Sequence, residues 1–440
     1  MGVYVKVRSA FWLLTGYPAD KCRRLLNLSE HWSREQLEDF RNEKLKKLIS
    51  HCYENVLYYR RIMDENRISP RDVQHVNDLS KLPVLTKDII RVHSRELMAK
   101  NISQMTVRWG KTGGTTGEPM HVCKNEECNV WADMCHERGL KWGGMTVDEP
   151  RVSLFGGSLG IDKERVTARI GNLLRRELFI PAFELRADTV MPFFDIIRRS
   201  HYRFLLGYAS AIYRFAVLAE EMNQKLVFDA VFPTAELLLP EWQEFIHKAF
   251  QCAVLPYYGC GEVNALGYQQ LESTNYYIPE EHVFIEIMER QGQTRLFGDG
   301  GFVITDLDNY AMPLIRYVNG DAGKISAPDG HFPFSRIERL DGRYNSFLMK
   351  DTGELISGVI GTHVFRLFPS VQIYRIIQEE PLRLVIKIVP RSDFSEEDED
   401  RISSLFGKYL GSRMKITIEK VRSLPIPPSG KSVFVVNHCI

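Results

Sequence analysis

The sequence predicts an α/β protein in two parts: a large N-terminal domain of packed sheets and helices over residues 1–341, and a small α+β domain over 342–440. Three observations carry that reading. Between 150 and 320, short apolar runs alternate with helical stretches, the pattern of strands joined by helical crossovers. The composition shifts at Asp341-Gly342-Arg343-Tyr344-Asn345, and strand-like runs with one helix follow it. A chain of 440 residues has room for one large core and a smaller second one.

Within a helical entry segment over 1–100, residues 30–66 read as one helix. Ser33 precedes Arg34-Glu35-Gln36-Leu37, so its hydroxyl can cap the helix with Gln36 at the reciprocal position of a capping box. Leu37, Phe40, Leu45, Leu48, Ile49 and Cys52 then recur at helical spacing. Leu82-Pro83-Val84-Leu85-Thr86-Lys87-Asp88 closes that unit and opens the next helix with Thr86 as cap. Further on, 151–155 reads as a strand, 209–222 as a helix, 230–233 as a strand, 241–250 as a helix and 254–258 as a strand. Meander strands follow at 282–289 and 301–306. Past the composition shift, 349–357 reads as a hairpin around Asp351-Thr352-Gly353, and 374–378 and 382–389 as strands. Ser395 opens a helix whose Glu396-Glu397-Asp398-Glu399-Asp400 run complements the helix dipole. Strands at 415–421 and 432–436 complete the small domain.

Composition excludes several classes. Hydrophobic residues make up 44% and charged residues 26%, values expected of an ordinary soluble globular protein. A formal net charge of +1 gives no global drive toward nucleic acid or membrane. The eight cysteines are scattered, and so large a core needs no disulfides, so reduced thiols in a cytoplasmic setting are expected. Cys123, Cys128, Cys135 and His136 raise the question of zinc, but no C-x-x-C pair is present, and buried apolar thiols are the expected reading. The apolar patch Ala10-Phe11-Trp12-Leu13-Leu14 has no cleavage-site pattern behind it and falls far short of the roughly 20 residues a membrane span needs. It is expected to pack on the protein's own body; weak peripheral docking on a membrane or partner is the other reading, and a homodimer stays open.

The densest chemical signal is Lys111-Thr112-Gly113-Gly114-Thr115-Thr116-Gly117-Glu118-Pro119, with three glycines and three threonines in nine residues. Glycines let backbone N–H groups approach an anion closely and threonine hydroxyls add donors, so the loop suits a polyphosphate such as ATP. Gly110-Lys111-Thr112 imitates the end of a Walker A loop, but Met105 stands where its first glycine is required, which excludes a P-loop. A second polar turn is Tyr257-Tyr258-Gly259-Cys260-Gly261-Glu262. It offers an aromatic for a purine, glycines for close approach and a carboxylate for Mg²⁺ bound to phosphates. A third cluster runs through Thr305-Asp306-Leu307, Pro313-Leu314-Ile315-Arg316-Tyr317 and Gly320-Asp321, where Asp321 suits ribose hydroxyls. Gly342-Arg343 marks the domain junction, and Pro428-Ser429-Gly430-Lys431 a loop near the C-terminus. Taken singly, each reads equally well as a turn or a solvated charge.

The order of these clusters resembles the acyl-adenylate-forming superfamily: acyl-CoA synthetases, peptide-synthetase adenylation domains and luciferases. Within it the chain most resembles the phenylacetate–CoA ligase branch and its capsular polysaccharide biosynthesis (CapK-type) group. The resemblance covers nearly the whole chain, including His51-Cys52-Tyr53-Glu54-Asn55-Val56-Leu57-Tyr58-Tyr59, Leu82-Pro83-Val84-Leu85-Thr86-Lys87 and Leu206-Gly207-Tyr208-Ala209-Ser210. It implies activation of a small carboxylic acid by ATP and Mg²⁺, with pyrophosphate released. Acyl transfer would follow, to the thiol of CoA or to an amine or glycan hydroxyl.

The same resemblance implies residue roles. Thr112, Gly113, Gly114, Thr115, Thr116 and Gly117 would hold the phosphates, with Thr115 acting in catalysis. Thr234, Ala235, Glu236, Tyr258, Gly259, Cys260 and Gly261 would line the nucleotide, and Glu262 would carry Mg²⁺. Asp321 would hold the ribose, Arg343 ribose or phosphate, and Lys431 would bridge the acid and the α-phosphate from a mobile domain. Phe155, Gly156, Gly207, Tyr208 and Ala235 would shape the acyl pocket. The chain departs from the pattern at Gly113, where the loop serine is usual, at Glu118, where many relatives have lysine, and at Asn345 or Ser346, where the hinge aspartate is expected. Leu271 stands where some relatives carry a zinc-binding cysteine, so no metal is expected there.

Two other readings compete. Gly156-Gly157-Ser158-Leu159-Gly160 fits a nucleophile elbow, but the next helix is expected only at Asp162 and no Asp/His pair completes a triad around Ser158. A catalytically inactive nucleotide-binding scaffold would explain the altered loop and hinge, and the retained Glu262, Asp321, Arg343 and Lys431 oppose it.

Overall fold

The computed structural model describes residues 19–112, 120–156, 176–182, 185–289, 291–343, 347–358, 360–365, 367–424 and 434–439. The patch 10–14, the loop 113–119, the turn 157–162, the junction 344–346 and the loop 428–431 lie outside these residues.

Helices α1 (Ala19–Ser29), α2 (Arg34–Asn55), α3 (Leu57–Glu65) and α4 (Lys87–Val92) build the entry segment. Ser33 caps α2 as expected: its hydroxyl accepts from the Gln36 N–H, and the Gln36 side chain returns a bond to the Ser33 N–H. Leu37, Leu45, Leu48, Ile49 and Cys52 are fully buried. The single helix expected over 30–66 is broken at Val56, which is extended (φ −115°) and bridges to Ala99. A long-range pairing there outcompetes the helical spacing. Helix α1 had no counterpart in the sequence reading. Buried Glu280 clamps α2 to the sheets through Arg34 (2.7 Å) and Arg41. Burial alone would raise its carboxyl, but the two guanidiniums hold it below the ordinary 4.5.

Strands β1 (Val107–Thr112) and β2 (Met120–Asn125) pair antiparallel, with Thr112 opposite Met120. The ends of segment 113–119 are thus held side by side, and β2 leads into α5 (Glu126–Lys141). A parallel sheet then forms from β3 (Arg151–Phe155), β4 (Glu177–Pro181), β5 (Phe204–Tyr208), β6 (Ala230–Thr234) and β7 (Ala253–Val254). Helices α6 (Ala187–Ser200), α7 (Ala209–Glu221) and α8 (Pro240–Phe250) connect its strands, and the order is β4-β3-β5-β6-β7. The order reverses between β3 and β5, and ligands of such sheets bind beyond the strand C-termini at that point.

The strand expected over 254–258 is two. β7 closes the parallel sheet, Pro256 interrupts the ladder, and β8 (Tyr257–Tyr258) joins a second, antiparallel sheet. That sheet continues with β9 (Gly267–Tyr268), β10 (Tyr276–Tyr277), β11 (Val283–Met288), β12 (Thr294–Arg295), β13 (Gly298–Asp306), β14 (Tyr317–Ser326) and β15 (Arg336–Arg343). Its order is β12-β11-β13-β14-β15-β10-β9-β8.

The C-terminal part has its own core. The hairpin β16 (Phe347–Met349) and β17 (Leu355–Ser357), helix α9 (Ile360–Phe365), β18 (Val371–Glu380), β19 (Arg383–Pro390), α10 (Glu396–Leu410), β20 (Lys415–Lys420) and β21 (Val435–Asn437) follow in sequence. Four strands form a sheet of order β20-β19-β18-β21, with Ile376, Leu384, Ile386 and Ile388 packed against Ile402 and Phe406 of α10. Ser395 caps α10 and its first turn is acidic, as the sequence implied. All eight cysteines are free thiols. No helix among the described residues is long and apolar enough to cross a membrane.

Candidate active site

The turn after β8 is fixed by its own backbone. β8 and β9 pair with Tyr258 opposite Gly267, and the Leu266 N–H donates to the Tyr258 carbonyl (3.0 Å). Within it, the Cys260 N–H (3.2 Å) and thiol (3.3 Å) both donate to the Val263 carbonyl. Ala265 closes the turn in the left-handed region (φ 61°), a conformation that costs a non-glycine residue about 1–3 kcal/mol. This holds Glu262 in the interior, only 4% exposed, where the Tyr317 hydroxyl donates to its Oε1 (2.9 Å).

Tyr317 is the first of three buried polar residues on one face of β14, followed at period two by Asn319 and Asp321. The Tyr258 hydroxyl donates to Asp321 Oδ2 (2.7 Å), and Asn319 Nδ2 lies 2.7 Å from both the Tyr258 oxygen and Asp321 Oδ2. The Asp321 N–H in turn donates to Asn319 Oδ1 (2.9 Å). Burial, with the Asp321 carboxylate close by, pushes the Tyr258 phenol far up, so it stays protonated and donating. The backbone of Arg343 is paired directly with that of Asp321, which brings the domain junction beside this carboxylate.

The β1–β2 ribbon reaches the same place. Buried Lys124 on β2 donates from Nζ to the Gly261 carbonyl (3.1 Å), tying the strand that follows loop 113–119 to the turn that carries Glu262. The expected phosphate-loop residues Gly113 to Gly117, Thr115 among them, and Lys431 lie outside the described residues.

From the parallel sheet, Thr234 Oγ1 donates to the Tyr257 carbonyl (3.0 Å), which joins the end of β6 to β8. Ala235 follows in the left-handed region (φ 66°), and Glu236 accepts from the Ser210 N–H (2.8 Å) at the start of α7. The Glu236 carboxylate is thus engaged with a helix N-terminus. Gly207 can only be glycine, because a Cβ there would lie 2.5 Å from the Leu154 carbonyl oxygen. Tyr208 is fully buried, its ring edge-on to Phe155 at 5.4 Å, and Gly156 directly follows Phe155. A cavity of about 210 Å³ lies between this sheet and α5, lined by Arg151, Ser153, Phe155, His136, Leu140 and Tyr257 among others. Of the residues expected to shape an acyl pocket, Phe155 lines this cavity.

The structure therefore brings together Tyr258, Glu262, Asp321 and the backbone of Arg343, with Thr234 and Ala235 adjoining. Asn319 and Lys124 were missed by the sequence reading. The alternation Tyr317-x-Asn319-x-Asp321 on a strand was a usable signal for the first; a lone lysine in a strand gives none for the second.

Known proteins resemble the chain along most of its length. The CapK C-terminal domain family matches residues 348–438. Protein CapK of Staphylococcus aureus is 23% identical over 419 residues, which cover 91% of this chain and 89% of that protein. Phenylacetate-coenzyme A ligase of Escherichia coli (strain K12) is 27% identical over 341 residues, covering 72% and 73% respectively. Among solved structures, 2-hydroxyisobutyryl-CoA ligase in the postadenylation state with R3-HIB-AMP matches with a TM-score of 0.75 at 16% identity, covering 93% of this chain and 91% of that one. The fold and the relatives define the class: the chain is an adenylate-forming ligase. Within that class it is similar to phenylacetate–CoA ligases and to CapK, whose C-terminal domain family matches its last part.

Proposed function

We propose that the protein activates a carboxylic acid with ATP to an acyl-adenylate, releasing pyrophosphate, and then passes the acyl group to an acceptor. The observation that carries this reading is the buried Tyr258–Asn319–Asp321 network beside Glu262, all served by one face of β14. Asp321 would accept from ribose hydroxyls, with Tyr258 and Asn319 holding its carboxylate in place. Among the described residues, the buried Glu262 carboxylate is partnered by a phenol and not by a cation, which suits it to hold Mg²⁺. Such an ion would offset the negative charge of the phosphates.

The acid and the α-phosphate are both anionic, so their approach needs a cation where charge develops. Lys431 would supply it from the C-terminal domain, with residues 342–346 as the hinge between 1–341 and 342–440. Segment 113–119 would hold the phosphates, and Arg343 would contact ribose or phosphate at the hinge.

The acid would occupy the cavity between β3 and α5. Its volume of about 210 Å³ accommodates a compact acid. Its polar wall, where Ser153 Oγ donates to Glu177 Oε1 (2.6 Å) near Arg151, favours an acid with a polar substituent. The acceptor would be the CoA thiol, as the names of the phenylacetate–CoA ligase relatives suggest, or an amine or glycan hydroxyl in surface-polysaccharide assembly, as suggested by the group's association with capsule.

Carboxylate-dependent ATP–pyrophosphate exchange over aryl, fatty, hydroxy and amino acids tests the reading. Lys431→Ala should lower exchange by about 10²–10³-fold while ATP binding survives. Unchanged exchange in that variant would remove Lys431 from the chemistry. No exchange with any acid, despite ATP binding, would favour a scaffold.

A further inference from the structure

Cys128 has partners that its sequence neighbours do not reveal. It sits in the first turn of α5, 1% exposed, with its Sγ 3.3 Å from Asp306 Oδ2. Asp306 ends β13, and its backbone pairs with Val283, the residue directly after His282. That register brings the His282 imidazole to the same spot, and one donor atom from each of Cys128, His282 and Asp306 lies within 4.8 Å of the other two. Both His282 and Asp306 are fully buried.

A second, independent observation concerns the imidazole. His282 Nδ1 lies 2.7 Å from Asp308 Oδ2, and Asp308 is itself paired with Lys44 (2.6 Å). The other ring nitrogen, Nε2, is buried with no hydrogen-bond partner. A buried nitrogen left so costs about 1–3 kcal/mol, and it needs either a donor or a Lewis acid. A carboxylate that fixes one nitrogen of a histidine and leaves the other unpartnered is the arrangement by which proteins orient metal ligands.

We propose that Cys128, His282 and Asp306 form a buried Zn²⁺ site that clamps α5 to the β11–β13 pair. Zinc accepts a mixed sulfur, nitrogen and oxygen donor set, and its bonds of about 2.0–2.3 Å place neighbouring ligands of a tetrahedron roughly 3.3–3.7 Å apart. The Cys128–Asp306 separation of 3.3 Å already matches such an edge. On binding, the thiol gives up its proton and the metal takes the lone pairs of sulfur, Nε2 and one carboxylate oxygen. Thiolate and Asp306 then balance the two positive charges, as Lys44 balances Asp308. Three protein donors leave one tetrahedral position for a water. Full burial makes the site structural and requires the ion to enter as the chain folds. The proposal does not depend on the ligase reading.

The test uses the full chain produced in cells supplied with Zn²⁺ or, in zinc-depleted medium, with Co²⁺. Metal analysis of the purified protein should find about one Zn²⁺ per chain. The Co²⁺ form should show tetrahedral visible bands and a thiolate-to-cobalt charge-transfer band in the near ultraviolet. Cys128→Ala should lose that band, whereas Cys123→Ala, a buried thiol outside the cluster, should keep it. Less than about a tenth of an equivalent of metal in the wild-type protein would overturn the proposal without any variant being needed. A Co²⁺ form lacking the thiolate band, or one that retains it in Cys128→Ala, would overturn it equally.

Discussion

The Tyr258 hydroxyl accepts from the Asn319 amide and donates to the Asp321 carboxylate, so one oxygen orders two side chains of β14. Tyr258→Phe keeps the ring and its packing but takes one partner from each of the two. Loss of such buried bonds costs about 1–3 kcal/mol. If Asp321 holds the ribose, part of that cost should appear as a raised KM for ATP with kcat less affected. Steady-state kinetics against ATP, set beside a thermal melt, separate the two contributions. An unchanged KM with a lowered Tm would make the network structural only.

At the scale of elements, the Glu280 clamp on α2 ties stability to pH. Its carboxyl is held below 4.5 in the folded state, so its contribution is full above the unfolded value and is lost as pH falls through the depressed folded value. Glu280→Gln, which leaves Arg41 buried without its charge partner, should destabilise the protein at neutral pH by about 3–5 kcal/mol. It should also flatten the acid limb of stability against pH, as urea unfolding at several pH values would show. The elements that were legible in the sequence are those with local causes. Ser33 and Gln36 cap α2 within four residues, and Ser395 does the same for α10. The break at Val56 depends on a bridge to Ala99 that no helical period encodes. The division of 254–258 depends on which sheet each half joins, and only Pro256 hinted at it. The grouping of Tyr258, Glu262 and Asp321 was readable because they follow the order of the family the chain resembles, and the fold brings them together. Lys124 was not, because its meaning lies in the Gly261 carbonyl it reaches across the fold.

At the scale of the whole molecule, a ladder of aromatic rings joins the C-terminal part to the rest. Phe434, shortly beyond Lys431, packs edge-on against Trp242 of α8 (5.5 Å) and tilted against Tyr374 of β18 (5.4 Å), and Trp242 stacks on Tyr213 of α7 (5.0 Å). A contact of this kind is worth about 0.5–1.5 kcal/mol beyond its buried area, so Trp242→Ala should reduce the docked arrangement by roughly two- to twelve-fold. The expected readout is slower adenylate formation together with faster proteolysis at 342–346. An unaltered cleavage rate would mean that the rings do not govern docking. The division of the chain between two sheets at Pro256 has its own consequence. Tyr257 lines the cavity proposed for the acid, and the next residue, Tyr258, bonds the carboxylate proposed for the nucleotide. Two ligands read by adjacent residues of one short strand are expected to be thermodynamically linked, and any such coupling is reciprocal. The acid should therefore change the affinity for ATP by the same factor as ATP changes the affinity for the acid, and Tyr257→Ala should alter that shared factor, as paired calorimetric titrations would measure. Selection for a new acid in such a framework would retune the nucleotide site at the same time.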